Sequence, residues 1–201
     1  MINIIIFDLG AVLIDWNPHY MYRTLFSDDE EMKNFLATVC TSEWNEEQDG
    51  GRTVQEGTDL LVQQFPEHEE KIRAFYSRWE EMLGEPFWDT VEIFKELKES
   101  GKYKIYALTN WSAETFPHAV SRYDFLNWFD GIVVSGVEKM RKPHPEFYQL
   151  LLDRHNVKPD EAVFIDDNYR NILAAEKVGI KSIHHTSAEE TRRELEKLNI
   201  L

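Results

Sequence analysis

The chain has 201 residues, 42% of them hydrophobic, which is enough for one compact core domain with a small insert. Its 37 acidic residues outnumber 22 basic ones, and a net charge of -15 disfavours binding to nucleic acid. A lone cysteine, Cys40, excludes an internal disulfide, and the apolar start is too short for a signal peptide or a membrane span. We therefore expect a cytoplasmic protein without a membrane or nucleic-acid partner, and these features leave its oligomeric state open.

Five short apolar runs are predicted to form β-strands, because each is rich in Ile, Val, Phe or Tyr and lacks polar alternation. Strands of this kind are covered on both faces, as in a parallel sheet. The runs are residues 4–7, 104–108, 131–134, 162–165 and 181–183. Helical periodicity over residues 90–100, 145–155 and 171–178 separates the later strands. This alternation predicts an α/β fold with a doubly wound, Rossmann-like parallel sheet.

Residues 16–85 interrupt this alternation, since they carry helical periodicity and no convincing strand. We predict a core domain formed by residues 1–15 and 86–201, and a small helical cap domain formed by residues 16–85. Glu85 and Pro86 form the predicted hinge between them. An insert at this position lies above the carboxyl ends of the strands, where open α/β sheets bind their ligands.

Four polar clusters each follow one of the predicted strands. Asp8 follows the first strand, and Thr109-Asn110 follows the second. Arg141-Lys142-Pro143 lies in the connection after the third strand, and Asp166-Asp167-Asn168 follows the fourth. Because parallel strands place their carboxyl ends at one edge of the sheet, these side chains are expected to converge.

The acidic residues of these clusters suit phosphoryl transfer. The Asp8 carboxylate can attack phosphorus and form an acyl phosphate, provided that a cation offsets its negative charge. Mg²⁺ prefers oxygen ligands, so we expect Asp8 and Asp167 to bind it, with a backbone carbonyl near Gly10 as a further ligand. Asp166 is expected to lie farther from the ion, as a secondary or indirect ligand.

The remaining polar residues are expected to bind the phosphoryl group. Thr109 and Asn110 can donate hydrogen bonds to its oxygens, and Lys142 can neutralise the charge that develops during transfer. In the cap, Arg52 follows a pair of glycines that indicates a loop, and it is a candidate contact to an anionic substrate.

The same four clusters resemble the four motifs of the haloacid dehalogenase (HAD) superfamily. Residues 4–10, with the sequence IIIFDLG, resemble the first motif, and residues 108–111, with the sequence LTNW, resemble the second. Lys142 and Pro143 are similar to the third motif, and residues 164–168, with the sequence FIDDN, to the fourth. The helical insert stands where this superfamily places its C1 cap. The order of these motifs covers the whole chain, and their combination is highly specific.

The resemblance implies a hydrolase that uses Mg²⁺ and an aspartyl-phosphate intermediate on Asp8. It is strongest toward glucose-1-phosphatase-like members and the phosphatase-like N-terminal domain of epoxide hydrolases. The implied substrate is a small phosphorylated metabolite of the sugar phosphate class.

Two positions depart from the family pattern. Most HAD phosphatases carry a second aspartate two residues after the nucleophile, where it acts as the general acid and base, and this chain has Gly10 there. Water or a cap residue must then protonate the leaving group, or the leaving group must depart unaided. The anomeric oxygen of a sugar 1-phosphate departs somewhat more readily than an ordinary alkoxide and would suit the second case. Asn171 replaces a further aspartate of motif four, and its amide can orient Lys142 or a metal-bound water.

Two other functions remain open at this point. A 2-haloacid dehalogenase uses the same Asp8 to attack carbon without a metal, but Asp166 and Asp167 beside it make sense mainly with a cation between them. A catalytically weak relative that binds a phosphorylated ligand or a protein partner is the other alternative, and Gly10 favours it.

Other conspicuous residues have plain structural interpretations. Glu46 and Glu47 are interpreted as a solvent-exposed helix face, and Trp79 as part of the cap core. His184 and His185 are adjacent on a predicted strand, so their side chains point to opposite faces and make a poor pair of metal ligands.

Overall fold

The main sheet contains all five predicted strands, and each neighbouring pair in it is parallel. The computed structural model describes residues 1–201. The strands of the chain are β1 (Ile4–Phe7), β2 (Ile14–Trp16), β3 (Leu83–Pro86), β4 (Lys104–Thr109), β5 (Gly131–Val134), β6 (Ala162–Asp166) and β7 (Lys181–His184). The main sheet has the order β5-β4-β1-β6-β7. This confirms the predicted α/β fold, and it places the end of β1 between the ends of β4 and β6.

Helices cover the sheet and fill the insert between β2 and β3. They are α1 (His19–Tyr22), α2 (Asp29–Thr38), α3 (Ser42–Asp49), α4 (Val54–Gln64), α5 (Glu69–Ser77), α6 (Trp88–Glu99), α7 (Phe116–Arg122), α8 (Ser135–Glu138), α9 (Pro145–His155), α10 (Tyr169–Lys177) and α11 (Ala188–Lys197). Short 3-10 turns lie at Pro66–His68, Trp79–Met82, Asp124–Trp128 and Pro159–Glu161. None of the helices combines the length and the apolar character that crossing a bilayer requires.

Alternate residues of β1 feed two separate apolar cores, which explains why the strand lacks a polar face. Ile5 and Phe7 pack into the larger core, which continues into the helical insert. Ile4 and Ile6 pack into the smaller core under α9 and α10. Successive side chains of a strand point to opposite faces of the sheet, so a run of four apolar residues is what a doubly covered strand needs.

A second, two-stranded sheet lies where the insert joins the core, and the sequence did not predict it. Strands β2 and β3 are antiparallel, with Ile14 opposite Pro86 and Trp16 opposite Leu83. Neither strand has more than four residues, and β3 contains both a glycine and a proline, which disfavour strands. The predicted domain boundaries at residues 15/16 and 85/86 fall inside this small sheet.

Aromatic packing behind β1 is expected to contribute strongly to stability. The Phe94 side chain is fully buried, and its ring centroid lies 4.3 Å from that of Phe129 and 5.6 Å from that of Phe7. Phe94→Ala is therefore expected to lower the free energy of unfolding by about 3–5 kcal/mol, because it leaves a cavity among these rings. Urea unfolding measures the loss. Leu173→Ala, at a residue that is 41% exposed, serves as the control, and equal losses in both variants would contradict this packing.

Candidate active site

A cavity of about 270 Å³ opens between the helical insert and the carboxyl ends of the central strands. The core contributes acidic, basic and amide side chains to its walls, including those of Asp8, Asn110, Lys142, Asp167, Arg170 and Asn171. The insert contributes polar and aromatic side chains, including those of Ser42, Asn45, Glu46, Asp49, Tyr76 and Trp79. Residues that lie far apart in the sequence therefore converge at the sheet edge.

Asp8 lies directly after β1 and is held by the neighbouring strand β6, by Leu9 and by Lys142. Its backbone N–H donates to the Ile165 carbonyl at 2.8 Å, which continues the ladder to β6. Its side-chain Oδ1 accepts hydrogen bonds from the Leu9 backbone N–H and from Lys142 Nζ, both at 2.8 Å. The other oxygen, Oδ2, has no hydrogen bond within the protein. The carboxylate is thus fixed through one oxygen and available through the other.

Lys142 is a buried cation between two buried carboxylates. Its Nζ lies 2.8 Å from Asp8 Oδ1 and 2.8 Å from Asp166 Oδ2, and its side chain is 1% exposed. Asn110 holds the Lys142 backbone from both sides. Its Nδ2 donates to the Lys142 carbonyl at 3.0 Å, and its Oδ1 accepts from the Lys142 N–H at 2.9 Å. The Asn110 side chain therefore positions the lysine loop, and it keeps a second amide N–H for a ligand.

Asp166 is fully buried, and both of its oxygens are engaged. Besides Lys142, Oδ1 accepts from the Asn168 backbone N–H at 2.8 Å, and Asn171 Nδ2 lies 3.0 and 3.1 Å from the two oxygens. These contacts suit a residue that fixes Lys142. The side-chain amide oxygen of Asn171, Oδ1, is buried without a hydrogen-bond partner, although the residue lines the cavity.

The three aspartates form a compact group of oxygen atoms. One carboxylate oxygen from each of Asp8, Asp166 and Asp167 lies within 4.8 Å of the others. Asp167 is partly buried, and its backbone carbonyl oxygen lies 2.8 Å from His184 Nε2. Lys142 supplies one positive charge to this group, so negative charge remains in excess. This excess favours a bound cation.

The environment changes the acid–base properties of the group. Burial, opposed by Lys142 and reinforced by Asp166, raises the pKa of Asp8 to about 7. Burial and the Asp166 charge also raise the pKa of Asp167. Burial acts to lower the pKa of Lys142, but its two ion pairs outweigh this effect and the pKa is raised. Lys142 therefore carries its charge at neutral pH, while Asp8 and Asp167 are harder to ionise than ordinary aspartates.

Two predicted substrate contacts do not line the cavity. Thr109 ends β4 with 1% of its surface exposed, and its hydroxyl is buried without a hydrogen-bond partner. Arg52 turns back onto the insert, where Nε donates to Gln48 Oε1 at 2.6 Å and Nη2 donates to the Trp44 carbonyl at 3.2 Å. The structure therefore does not bring Arg52 together with the other predicted site residues. Gly10, in contrast, does line the cavity.

A different arginine faces the cavity from the core, and sequence reasoning missed it. Arg170 Nη2 donates to Glu46 Oε1 at 2.9 Å, and Arg141 Nη2 donates to Glu47 Oε1 at 3.0 Å. Glu47 is exposed, as a solvent-exposed face requires, whereas Glu46 is half-buried. Both residues also join α3 to the core through these pairs, which the sequence interpretation did not include. Arg170 stands at the start of α10, close after the motif-four aspartates, and this position was the available signal.

Aromatic side chains form part of the cavity wall. Trp16, Tyr76, Trp79 and Trp111 line it, and the ring centroids of Trp79 and Trp111 lie 5.5 Å apart. Trp79 is buried, as expected for cap core, but it also faces the cavity. The indole N–H groups of Trp16 and Trp111 are buried and have no hydrogen-bond partner. They are donors available to a ligand.

The fold and this site define a class of hydrolase. A parallel sheet, a helical insert after β1 and a buried aspartate at the end of β1 characterise it, and comparison with known families agrees. Residues 2–179 match the family model described as haloacid dehalogenase-like hydrolase. The chain belongs to this family.

Two relatives with curated functions are phosphatases. A sesquiterpene phosphatase from Aspergillus oryzae is 31% identical over 96% of this chain and 94% of its own length. A phosphorylated carbohydrates phosphatase from Thermotoga maritima is 28% identical over 90% of this chain and 83% of its own length.

Solved structures share the fold at lower identity. A HAD family enzyme from Bacteroides thetaiotaomicron, in a magnesium complex, superposes with a TM-score of 0.70 at 21% identity, covering 92% of this chain and 93% of its own. The L-2-haloacid dehalogenase from Xanthobacter autotrophicus superposes with a TM-score of 0.63 at 20% identity, covering 100% of this chain and 85% of its own.

Proposed function

We propose that the protein is a Mg²⁺-dependent phosphatase that hydrolyses a small phosphate monoester through an aspartyl-phosphate on Asp8. The observation that carries this proposal is that buried Lys142 forms ion pairs with both Asp8 and Asp166, and that the Asp167 carboxylate lies beside them. Such a group has excess negative charge, and an anionic substrate can approach it only with a cation present. The phosphatase names of the relatives support the same reaction.

The residues present fit a magnesium ion. The candidate ligand atoms are all oxygens, which suits a hard cation, and the side-chain Oδ1 of Asn171 is buried without a hydrogen-bond donor. Asp8 and Asp167 are the proposed ligands, with the Gly10 backbone carbonyl, because all three residues line the cavity. Asp166 has both oxygens engaged by protein donors, so it acts by holding Lys142. When bound, the ion offsets the charge of the carboxylates and of the phosphoryl group.

Separate residues of the chain provide the nucleophile and bind the phosphoryl group. Asp8 Oδ2, which has no partner in the protein, attacks phosphorus while Lys142 stays against Oδ1. The free amide N–H of Asn110, which lines the cavity, donates to the phosphoryl oxygens. Water then displaces the phosphoryl group from Asp8 and releases inorganic phosphate. The helical insert closes the site and contacts the leaving group.

The aromatic wall favours a sugar phosphate as the substrate. Indole rings offer flat apolar faces to the C–H groups of a sugar ring, and the unpartnered N–H groups of Trp16 and Trp111 can donate to its hydroxyl oxygens. The T. maritima relative is named for phosphorylated carbohydrates. An isoprenoid monophosphate is the second candidate, because the same rings suit an apolar chain and the A. oryzae relative is a sesquiterpene phosphatase.

A panel of phosphate esters tests this function directly. We expect inorganic phosphate release from sugar phosphates with Mg²⁺, and loss of this release when EDTA removes the ion, because the carboxylate group then repels the substrate. The panel includes sugar 1- and 6-phosphates, an isoprenyl monophosphate and p-nitrophenyl phosphate, and 2-chloropropionate tests for dehalogenase activity.

The outcomes separate the alternatives. Halide release without metal, with no phosphate ester cleaved, would identify a dehalogenase and overturn the proposal. Absence of any turnover, together with binding of sugar phosphates in calorimetry, would identify a binding protein. Preference for the isoprenyl monophosphate over every sugar phosphate would overturn the proposed substrate class while keeping the phosphatase.

A further inference from the structure

The position of the usual general acid is open space in this protein. A Cβ atom built on Gly10 meets no atom within 4 Å, and Gly10 lines the cavity. No neighbouring side chain fills the place of the missing carboxylate. Release of an alkoxide still needs a proton, so another group at the cavity has to supply it.

Asp49 brings a carboxyl group to the same cavity from the opposite side. It is the last residue of α3, and it lines the cavity together with Asp8. Its Oδ2 accepts from Asn45 Nδ2 at 3.1 Å, and its backbone carbonyl accepts from Ser135 Oγ at 2.5 Å. The Ser112 backbone also hydrogen-bonds to its carboxyl group. Asn45 of the insert thus holds the Asp49 carboxyl group, and Ser135 of the core holds its backbone.

The other titratable groups at the cavity are committed elsewhere. Glu46 is paired with Arg170 at 2.9 Å, so its carboxylate neutralises a cation. Lys142 lies between Asp8 and Asp166, and Asp167 belongs to the metal group. The Tyr76 hydroxyl donates to Asn45 Oδ1 at 2.9 Å, and burial raises its pKa well above the usual range. Elimination leaves the Asp49 carboxyl as the available acid.

The electrostatic environment suits this task. Burial raises the pKa of Asp49 to about 7; hydrogen bonding from the Ser112 backbone opposes the rise. The charged and titratable groups that face it are Glu46 on its own helix, which raises the pKa, Arg141 from the core loop, which lowers it, and Tyr76 on α5. A group of this kind gives and takes a proton near neutral pH.

We infer that Asp49 is the general acid and base of the reaction, in place of the aspartate absent at Gly10. The inference rests on the proposed phosphatase function. In the first half, the bond from Asp8 Oδ2 to phosphorus forms, the ester P–O bond breaks, and the Asp49 proton passes to the leaving oxygen. In the second half, water attacks phosphorus, its proton passes to the Asp49 carboxylate, and the P–O bond to Asp8 breaks.

Asp49→Asn tests the role through the leaving group. The amide keeps the shape and the hydrogen bonds of the site but cannot donate a proton. We expect kcat/KM for the best alkyl phosphate of the panel to fall on the order of 10²-fold or more. For p-nitrophenyl phosphate, whose leaving group departs without a proton, kcat/KM should fall far less than for the alkyl phosphate, because kcat/KM reports the first half of the reaction. Glu43→Gln makes the same chemical change at an exposed position of the same helix and serves as the control.

The pH profile gives a second readout that a merely structural role would not produce. The acid must carry its proton, so the parent's kcat/KM for the alkyl ester is expected to decline as pH rises through about 7. Asp49→Asn should lose this decline for the alkyl ester. Equal losses on both esters, or no loss on either, with the pH profile unchanged, would overturn the assignment.

Gly10→Asp provides a rescue experiment, since the structure has room for the side chain. In the Asp49→Asn background it should restore turnover of the alkyl ester in part, and failure to do so counts against a missing proton as the cause. If the parent cleaves p-nitrophenyl phosphate, but the parent and Asp49→Asn have the same kcat/KM for the alkyl ester, only the Asp49 role is contradicted. A parent that cleaves no phosphate ester overturns the proposed function and this inference together.

Discussion

Asp8→Asn is expected to reduce phosphate ester hydrolysis on the order of 10⁴-fold or more while making the metal-free protein more stable. The loss of activity follows because the amide is not a nucleophile and no other carboxylate takes the place of Oδ2. The activity assay uses the best ester of the panel. Acid quenching of the parent during turnover should trap phosphate on the protein, and the same treatment of the variant should not.

The gain in stability follows from the raised pKa of Asp8. Its folded pKa of about 7 lies above the ordinary value of 3.8, so stability is lost progressively as pH rises from about 3.8 to about 7, and the loss is complete above that range. The neutral amide removes that penalty, and we expect a gain on the order of 2 kcal/mol near pH 8 in EDTA. Asp160→Asn, at an exposed position, is the control in both assays. A destabilised Asp8→Asn variant would contradict this account of the site.

Lys142→Met is expected to lower both activity and stability, and the loss of stability should depend on pH. Methionine keeps the apolar stem but removes the charge between Asp8 and Asp166, two buried carboxylates that each lie 2.8 Å from it. Breaking a buried charge pair costs about 3–5 kcal/mol. Loss of the charge that stabilises phosphoryl transfer is expected to lower kcat on the order of 10²- to 10³-fold.

The pH dependence distinguishes a charge effect from a packing effect. Without the ammonium group, the pKa of Asp8 rises further, because Lys142 is one of the influences that lower it. The folded state then binds protons more tightly than the unfolded chain, so the variant should recover stability as pH falls below about 7. Urea unfolding near pH 6 and pH 8 measures this recovery, with Lys95→Met as an exposed control. A loss that is the same at both pH values would indicate packing alone.

The strands and the convergence of the acidic residues were predictable because they depend on local chemistry. An apolar run such as residues 4–7 has to be covered on both faces, and a parallel sheet then brings the residue after it to a common edge. The structure confirms the sheet, and it places Asp8, Lys142 and Asp167 around one cavity as the motifs indicated. Their chemical roles remain proposals until the variants are measured.

The contacts between insert and core were not predictable, because they join residues with no local relation. Arg170 and Glu46 pair across 124 positions of sequence, and nothing in either neighbourhood indicates the partner. Asn110 was predicted to bind phosphate, but much of its amide holds the Lys142 loop instead. Arg52 was predicted to contact an anion because it follows a loop, but its guanidinium donates a hydrogen bond to Gln48, four residues earlier. In each case the direction of the side chain determines its partner, and the local sequence does not indicate that direction.

The charged seam between α3 and the core makes the protein sensitive to dissolved salt. Glu46 and Glu47 meet Arg141 and Arg170 across it, and these side chains are between 22% and 52% exposed. Mobile ions screen such pairs, with a Debye length of about 10 Å at 0.1 M ionic strength. Any swing of the insert that admits a substrate separates these charges. We therefore expect rising ionic strength to weaken the attachment of α3 to the core.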